Sequence, residues 1–555
     1  MANYMSWPSP QLCILGSQDV EKRNPRVAAR RQMDTVGEAQ AQELIRPAQA
    51  PRDPSTLELF YDLFLVANLA TVTMKNEIVD ERSLRAYLGF FTLLWFTWLQ
   101  TILYDVRVSS ESVFHHIHKA VSCAIMMGFV VCAAMYDTSD VHSTINGFKA
   151  MSLVLMVSRL ALALQYSIVC LSVRGPSKIR TPMLFTAGSL ILAAAGFLGV
   201  FWGFTYTPHC YLAWYAISAT EATSIVLISC RWRIFSFKRT HLLERLGLLT
   251  LIIMGEGILG MSRTTYQLFQ TVNKPTAENF GELISAVLLV YMIFMLYFGH
   301  IEHDKFGTIR QQIWMLLHYP LHVAILLTVE GSSFLVLSGV IGHITDAWGN
   351  LYPLSSHPDW NSFFSGYQSA NEVVSDILMD MDTLLALTFK DSEALALINL
   401  YNYTTDIVTV ETIAAPFNST QWQDEASNAI NQLWSGVEVA IYHSFGIEGH
   451  DPHDHEPSSI EQAASAQNVM DTVFLYFYFS AGSLLLVLAI MYAFSKKSQS
   501  HSREAWASIA ARMVVGAGVM LPVMARWIDT DASYSFYLSP WTIAVVMLSY
   551  LTGEP

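Results

Sequence analysis

The groups in this chain whose type and spacing suit chemistry are carboxylates and imidazoles set in apolar sequence. Glu58 and Asp62 stand four apart in LELFYDLFLVANLA, which puts both on one face of a helix. Two carboxylates so close in a low dielectric cannot both ionise cheaply, so at least one is expected to hold a proton. Glu256 follows Glu244 and Arg245 in HLLERLGLLTLIIMGEGILG. It lies deep in apolar sequence among Gly255, Gly257 and Gly260, and small residues let another helix, an ion or water approach the backbone. His318 and His322, again four apart, share a face in QQIWMLLHYPLHVAILLTVEG, with Glu330 within roughly 120° of them. Pro320 between the two histidines frees a nearby backbone carbonyl. Imidazole titrates near physiological pH and suits a proton relay. The same spacing suits a metal pair, for which no third ligand is evident.

These residues are costly where they stand, because the surrounding sequence is that of a membrane protein. The 555 residues are 52% hydrophobic and only 14% charged, against roughly 25% charged in soluble domains. An ionisable side chain at the centre of a spanning helix costs about 2.5 to 3.5 kcal/mol on insertion scales, so each needs a partner, a proton or a water-filled cavity. With a window of about 20 residues for a ~30 Å core, twelve spans are expected, near 57–73, 84–104, 116–136, 148–171, 183–203, 209–230, 242–261, 279–299, 313–342, 468–493, 505–526 and 534–551. Pro320 is expected to kink or divide the ninth. The fold class is therefore all-α, a polytopic helix bundle with the lipid bilayer as its partner. Arg159, Gln165, Glu221 and Arg512 also fall inside spans, and either arginine is a candidate to neutralise one of the acids. His115, His116, His118 and the group His300, Glu302, His303 and Asp304 read as solvated helix ends.

Charge placement organises the rest. The net charge is −14, which excludes a general nucleic-acid binder, since phosphate neutralisation needs a cationic face. Between Thr345 and Gln467 there are eighteen acids and a single base, Lys390, giving −17 against +3 for the remainder. Placing the N-terminus inside gives fourteen Lys and Arg in the internal connections and five in the external ones, so both termini are expected in the cytoplasm. The expected organisation is a disordered cytoplasmic tail at 1–56, nine spans over 57–343, an acidic extracytoplasmic loop at 344–467, three spans over 468–551 and a short tail at 552–555. The membrane is the plasma membrane or an endomembrane. The loop contains the sequons at Asn402 and Asn418, expected to be glycosylated, and two stretches with apolar residues at helical spacing. Its GHDPHDHEP segment gathers His450, His453 and His455 beside three acids, a weak divalent-metal candidate.

Landmarks recur along the chain: Leu57–Glu58 and Leu243–Glu244, Asp105 and Asp304, His118 and His318. Their order hints at two six-helix halves related by an axis along the membrane normal. No Ser-His-Asp elbow, P-loop, GxGxxG in strand context or CxxC pair occurs, so no catalytic residue and no cofactor is expected.

At LELFYDLFLVANLA and HLLERLGLLTLIIMGEGILG the chain resembles the low temperature requirement A (LtrA) family, in which a first helix carries E-L-F-[FY]-D-L and a later one H-x-x-E-R-[FL]-G-L followed by G-E. HYPLHVAILLTVEG resembles the family's histidine-containing helix. The resemblance covers about residues 55 to 340 and implies a multi-spanning membrane protein linked to growth in the cold. By motif it carries Glu58, Asp62, His241, Glu244, Arg245 and Glu256 over as matching positions. Gly257 stands where members often have Ser, and the acidic insertion departs from short bacterial members and points to a eukaryotic, fungal-type version. The expected function is a transporter or channel in which these carboxylates and histidines move protons or a small cation. The alternatives are a non-transporting protein of lipid homeostasis or low-temperature adaptation, and an intramembrane enzyme acting on a lipid or prenyl substrate.

Overall fold

The computed structural model describes residues 11–12, 55–75, 78, 80–109, 113–136, 144–172, 177–232, 241–299, 308–349, 360–388, 390, 410, 412–445, 459–495, 503–525, 536 and 539–552. Most of the expected N-terminal tail, Asn402 and the His450, His453 and His455 segment lie outside them.

Apart from a two-residue antiparallel pairing of Gln11–Leu12 with Val108–Ser109, the described chain is helical. The first half comprises α1 (Thr56–Lys75), α2 (Glu81–Asp105), α3 (Val113–Ala134), α4 (Ile145–Ser172), α5 (Ser177–Gly203) and α6 (Leu212–Arg231). There follow α7 (Leu242–Thr271), α8 (Ala277–Phe298) and the 42-residue α9 (Thr308–Gly349). The acidic stretch contributes α10 (Trp360–Phe364), α11 (Ala370–Thr388) and α12 (Thr420–Ser444), and the chain ends with α13 (Ser459–Ser495), α14 (Arg503–Val519), α15 (Leu521–Ala525) and α16 (Trp541–Thr552).

Ten of these helices are long and apolar enough to cross a membrane, and the protein is an all-α, polytopic helix bundle. Two of the twelve expected spans fall short, for different reasons. α7 has the length, at 30 residues, and carries Glu244, Arg245, Glu256 and Arg263, but is not among the ten. α16 has the hydropathy but only 12 residues, about 18 Å of helix. α9 runs unbroken through Pro320, so the proline does not divide it. The two amphipathic stretches of the loop are helical, as α11 and α12.

Local chemistry starts the helices. Asp80 and Ser83 form a reciprocal capping box at α2, with Asp80 Oδ1 accepting from Ser83 N at 2.7 Å. Thr276 and Asn279 do the same at α8, so first-turn donors without an intrahelical acceptor are paired. Packing then sorts the helices. α2 and α9 are the central staves, 83% and 89% buried over their spanning windows, whereas α3 and α5 are each 39% buried. The landmark pairing of α3 with α9 thus joins helices in unlike surroundings. Leu192 on α5 and Val514 on α14 are about three-quarters exposed, as side chains facing lipid should be.

Small residues bring the staves together. A Cβ on Gly257 of α7 would lie 2.1 Å from Val329 Cγ1 of α9, and one on Gly482 of α13 would lie 2.5 Å from the Gly516 carbonyl oxygen of α14. α7, α9 and α13 form one packed layer, with α1 against α3 and α7.

Candidate functional site

The acids of α1 meet α7, not each other. Glu58 and Asp62 are 7% and 0% exposed, and Arg245 of α7, 1% exposed, reaches both. Its Nη1 lies 3.3 Å from Glu58 Oε2 and its Nη2 lies 2.8 Å from Asp62 Oδ1. Although Arg245 lies in the first turn of its helix, the guanidinium is buried, because two carboxylates four residues apart are there to receive it. Neither Arg159 nor Arg512 fills this role, and Arg159 pairs instead with Glu221 at 3.0 Å. His241 Nε2 adds a contact to Glu58 at 3.4 Å, while the indole N–H of Trp98 on α2 donates to Asp62 Oδ1 at 2.9 Å. Asp62 Oδ2 stays buried without a partner, and so does Oε2 of half-buried Glu244.

Beside this cluster Lys119 of α3 forms an ion pair with Asp105 at the end of α2, both 1% exposed at the side chain, and its ammonium sits 4.8 Å from the Tyr61 ring centre. Three carboxylates (Glu58, Asp62, Asp105) thus face Arg245 and Lys119, leaving one negative charge for a proton or for His241 to balance.

One level further in, the two histidines are fully buried and fully engaged. Trp95 Nε1 donates to His322 Nδ1 at 3.0 Å, and His322 Nε2 lies 2.9 Å from Thr250 Oγ1. An indole N–H can only donate, so Nδ1 of His322 is unprotonated and Nε2 carries the hydrogen. His318 has the opposite tautomer: its Nδ1 donates to the Trp314 carbonyl and its Nε2 accepts from Tyr297 Oη, each at 2.9 Å. All four ring nitrogens are occupied, which leaves none for a metal. Among the described residues no group of three or more His, Cys, Asp or Glu is placed to hold one.

Glu256 stands eleven residues past Arg245, three turns along the same face of α7 and roughly 17 Å deeper. It is 2% exposed, and both of its carboxylate oxygens are buried with no hydrogen-bond partner. Tyr87 of α2 lies within electrostatic reach of Glu256 and of Glu330 on α9, and its hydroxyl is 3.2 Å from Thr73 Oγ1 of α1. Glu330 faces Gly260 of α7, where an added Cβ would meet its Oε2 at 3.5 Å, an ordinary contact. Trp98 and Tyr87 are themselves eleven residues apart on α2, so α2 presents one face to both levels. The structure therefore places Glu58, Asp62, Arg245, His322, Glu256 and Glu330 along one seam between α1, α2, α7 and α9.

Sequence reasoning passed over Trp95, Trp98, Thr250 and Tyr297, which fix the geometry. The legible signal was two indoles three apart in LLWFTWLQ, each carrying an N–H that must find an acceptor when buried. Nor was the Lys119–Asp105 pair legible, Asp105 standing out only as a recurring landmark. The sequon Asn418 is exposed just before α12, with φ 64° and its Oδ1 accepting from Gln423 Nε2 at 2.6 Å.

Buried ion pairs, tautomer-locked histidines and an unpartnered acid inside a bundle of apolar helices define a polytopic membrane protein with a polar interior. Residues 54–354, more than half of the chain, match the family described as "Bacterial low temperature requirement A protein (LtrA)", and the chain belongs to that family. No curated protein and no solved structure matches it.

Proposed function

We propose that this chain is a transporter or channel that moves protons, or a small cation, along the seam between α1, α2, α7 and α9. The observation that carries the reading is Glu256, a carboxyl with two buried, unpartnered oxygens at the middle of the bundle. An ionised carboxylate cannot rest there alone, so the group is built to take up a neutralising ligand. Asp62, Glu58 and Arg245 form the entry to this seam, with His241 and Glu244 at its rim. His318, His322 and Thr250 line its middle, and Glu330 lies beyond. A proton passing the histidines needs Thr250 or Tyr297 to exchange donor and acceptor roles, because both rings are held neutral. The bias of Lys and Arg supports an entry on the cytoplasmic side.

The test is flux into liposomes loaded with a pH-sensitive dye. Wild-type protein is expected to dissipate an imposed proton or potassium gradient, and Glu256→Gln is expected to fall to the level of protein-free vesicles. Wild-type flux indistinguishable from empty vesicles would sink the reading.

A second reading is favoured by the closed pairs Arg159–Glu221 and Lys119–Asp105, which are already neutral and fasten helices. If all of the polar interior serves that purpose, the protein supports lipid homeostasis or low-temperature adaptation without transport. Glu256→Gln then lowers protein abundance and changes no flux.

A further inference from the structure

A second buried acid lies at the opposite end of the bundle, where α8 begins and α9 ends. Glu282 is 3% exposed and its Oε2 is buried without a partner. It presses directly on the backbone of α9: a Cβ added to Gly339 would lie 2.0 Å from Glu282 Oε1 and 2.5 Å from Oε2. Glycine at 339 therefore makes the niche that the carboxyl occupies. One turn earlier on the same face of α8, Asn279 is 4% exposed and its Nδ2 is likewise unpartnered. Each residue thus keeps one polar atom, Glu282 Oε2 and Asn279 Nδ2, buried and unsatisfied, against the usual rule for buried polar atoms.

Partly exposed groups stand one turn away from the niche on each helix. Glu278, four residues before Glu282, contacts His343 of α9, four residues beyond Gly339. Both side chains are partly exposed, at 54% and 32%. Asn279 also lines a small pocket of about 10 Å³, room for roughly one water, between α7, α8 and α9, with Thr265, Phe269 and Val336.

We propose that Glu282, seated on Gly339, is a proton-binding site that opens to water past the Glu278–His343 pair. It extends the seam proposed above toward the far side of the membrane and rests on that reading only for its part in transport. A proton fits better than a metal ion. The carboxyl is too close to the α9 backbone for an ion with several oxygens around it, and helix carbonyls there are engaged in their own ladder.

The groups that bear on Glu282 are few. Its own helix gives Glu278, a like charge. The helices packed on α8 carry further titratable groups, His343 and Glu330 on α9 and Glu256 and Arg263 on α7, but of all these only Glu278 acts on Glu282. α16, also packed on α8, has no charged side chain, and its Tyr550 hydroxyl is committed to the Ala481 carbonyl at 2.8 Å. Among these no cation is hydrogen-bonded or ion-paired to Glu282.

Dicyclohexylcarbodiimide adds to a protonated carboxyl in an apolar setting and rearranges to a stable N-acylurea on the same side chain, which mass spectrometry can place. Full-length protein in nanodiscs, treated between about pH 6 and about pH 9, is expected to carry the adduct on Glu282, with less at higher pH. No adduct on Glu282 anywhere in that range, while other carboxyls react, would overturn the site. Suppression of the adduct by sodium or potassium at fixed pH would overturn the proton assignment in favour of a metal cation. Glu282→Gln copies the protonated form and is expected to melt with the wild type; a large drop would show that the charged carboxylate is needed, and would also overturn the proposal. The outcome is separable from transport: a labelled Glu282 in a protein without flux keeps the site and removes the path, and flux with an unlabelled Glu282 does the reverse.

Discussion

Arg245 Nη2 and Asp62 Oδ1 lie 2.8 Å apart although 183 residues separate them in the chain. This bond ties the first helix to the seventh inside the bundle, and Glu58 makes it three-cornered. Removing one partner of a buried pair strands the others without compensation, at about 3 to 5 kcal/mol. Arg245→Gln is therefore expected to lower the melting temperature of the purified protein strongly. The double variant Arg245→Gln with Asp62→Asn should recover much of that loss. A double variant no more stable than Arg245→Gln alone would show that the pair does not bear on stability.

Gly257 is required by contact distance, since its hydrogen faces Val329 where a methyl would collide at 2.1 Å. Overpacking of this kind costs about 1 to 3 kcal/mol. Gly257→Ala should destabilise, and Gly257→Ala with Val329→Ala should return toward wild type, read by thermal unfolding in one detergent. Failure of the second change to rescue would place the strain elsewhere.

Glu438 of α12 sits outside the membrane-spanning segments and offers a pH handle. Burial pushes its carboxyl above the ordinary value of 4.5, only partly offset by bonds from Tyr442 Oη at 3.1 Å and Gln467 Nε2 at 3.2 Å. A group whose folded value is raised binds its proton more tightly when folded, so its contribution is complete below 4.5 and is lost as pH rises through the raised value. The opening free energy of α12, taken from amide exchange after correction for the intrinsic base-catalysed rate, should therefore be largest in mild acid and fall toward neutrality. Glu438→Gln should flatten that profile, and an unchanged profile would remove Glu438 as its cause.

Asn418 tests the topology. Its side chain is exposed ahead of α12, so a loop on the non-cytoplasmic side should be glycosylated there when the chain passes through a eukaryotic secretory pathway. Glycosidase treatment is expected to increase gel mobility, and Asn418→Gln to abolish its part of the shift. A chain with no glycosidase-sensitive shift would count against an outward-facing loop.

Hydropathy made the bundle legible because each spanning helix must be apolar over its whole length, whatever its neighbours are. The same logic located Glu256 and Asp62, since a charge that violates the pattern stands out. Pairings were not legible. Arg245 opens its helix, where a charge is cheap, and nothing local reveals that Glu58 and Asp62 wait 183 to 187 residues earlier. Glu282 fell inside a predicted span yet drew no notice, because its significance comes from Gly339 on another helix. The indoles of Trp95 and Trp98 read as bulk until their N–H groups are seen to fix an imidazole and a carboxylate.

Lys390, the single base of the acidic stretch, donates from Nζ to the Phe269 carbonyl at 2.6 Å and from its backbone N–H to the Thr271 carbonyl at 3.0 Å. It thereby clamps the last turn of α7, the helix that carries Arg245 and Glu256. Mechanically, the loop is a lever on that helix. Any rotation or sliding of α7 must either drag the clamped residue with it or break two bonds, so a spectroscopic label beside Lys390 would report motion of the buried acids from outside the membrane.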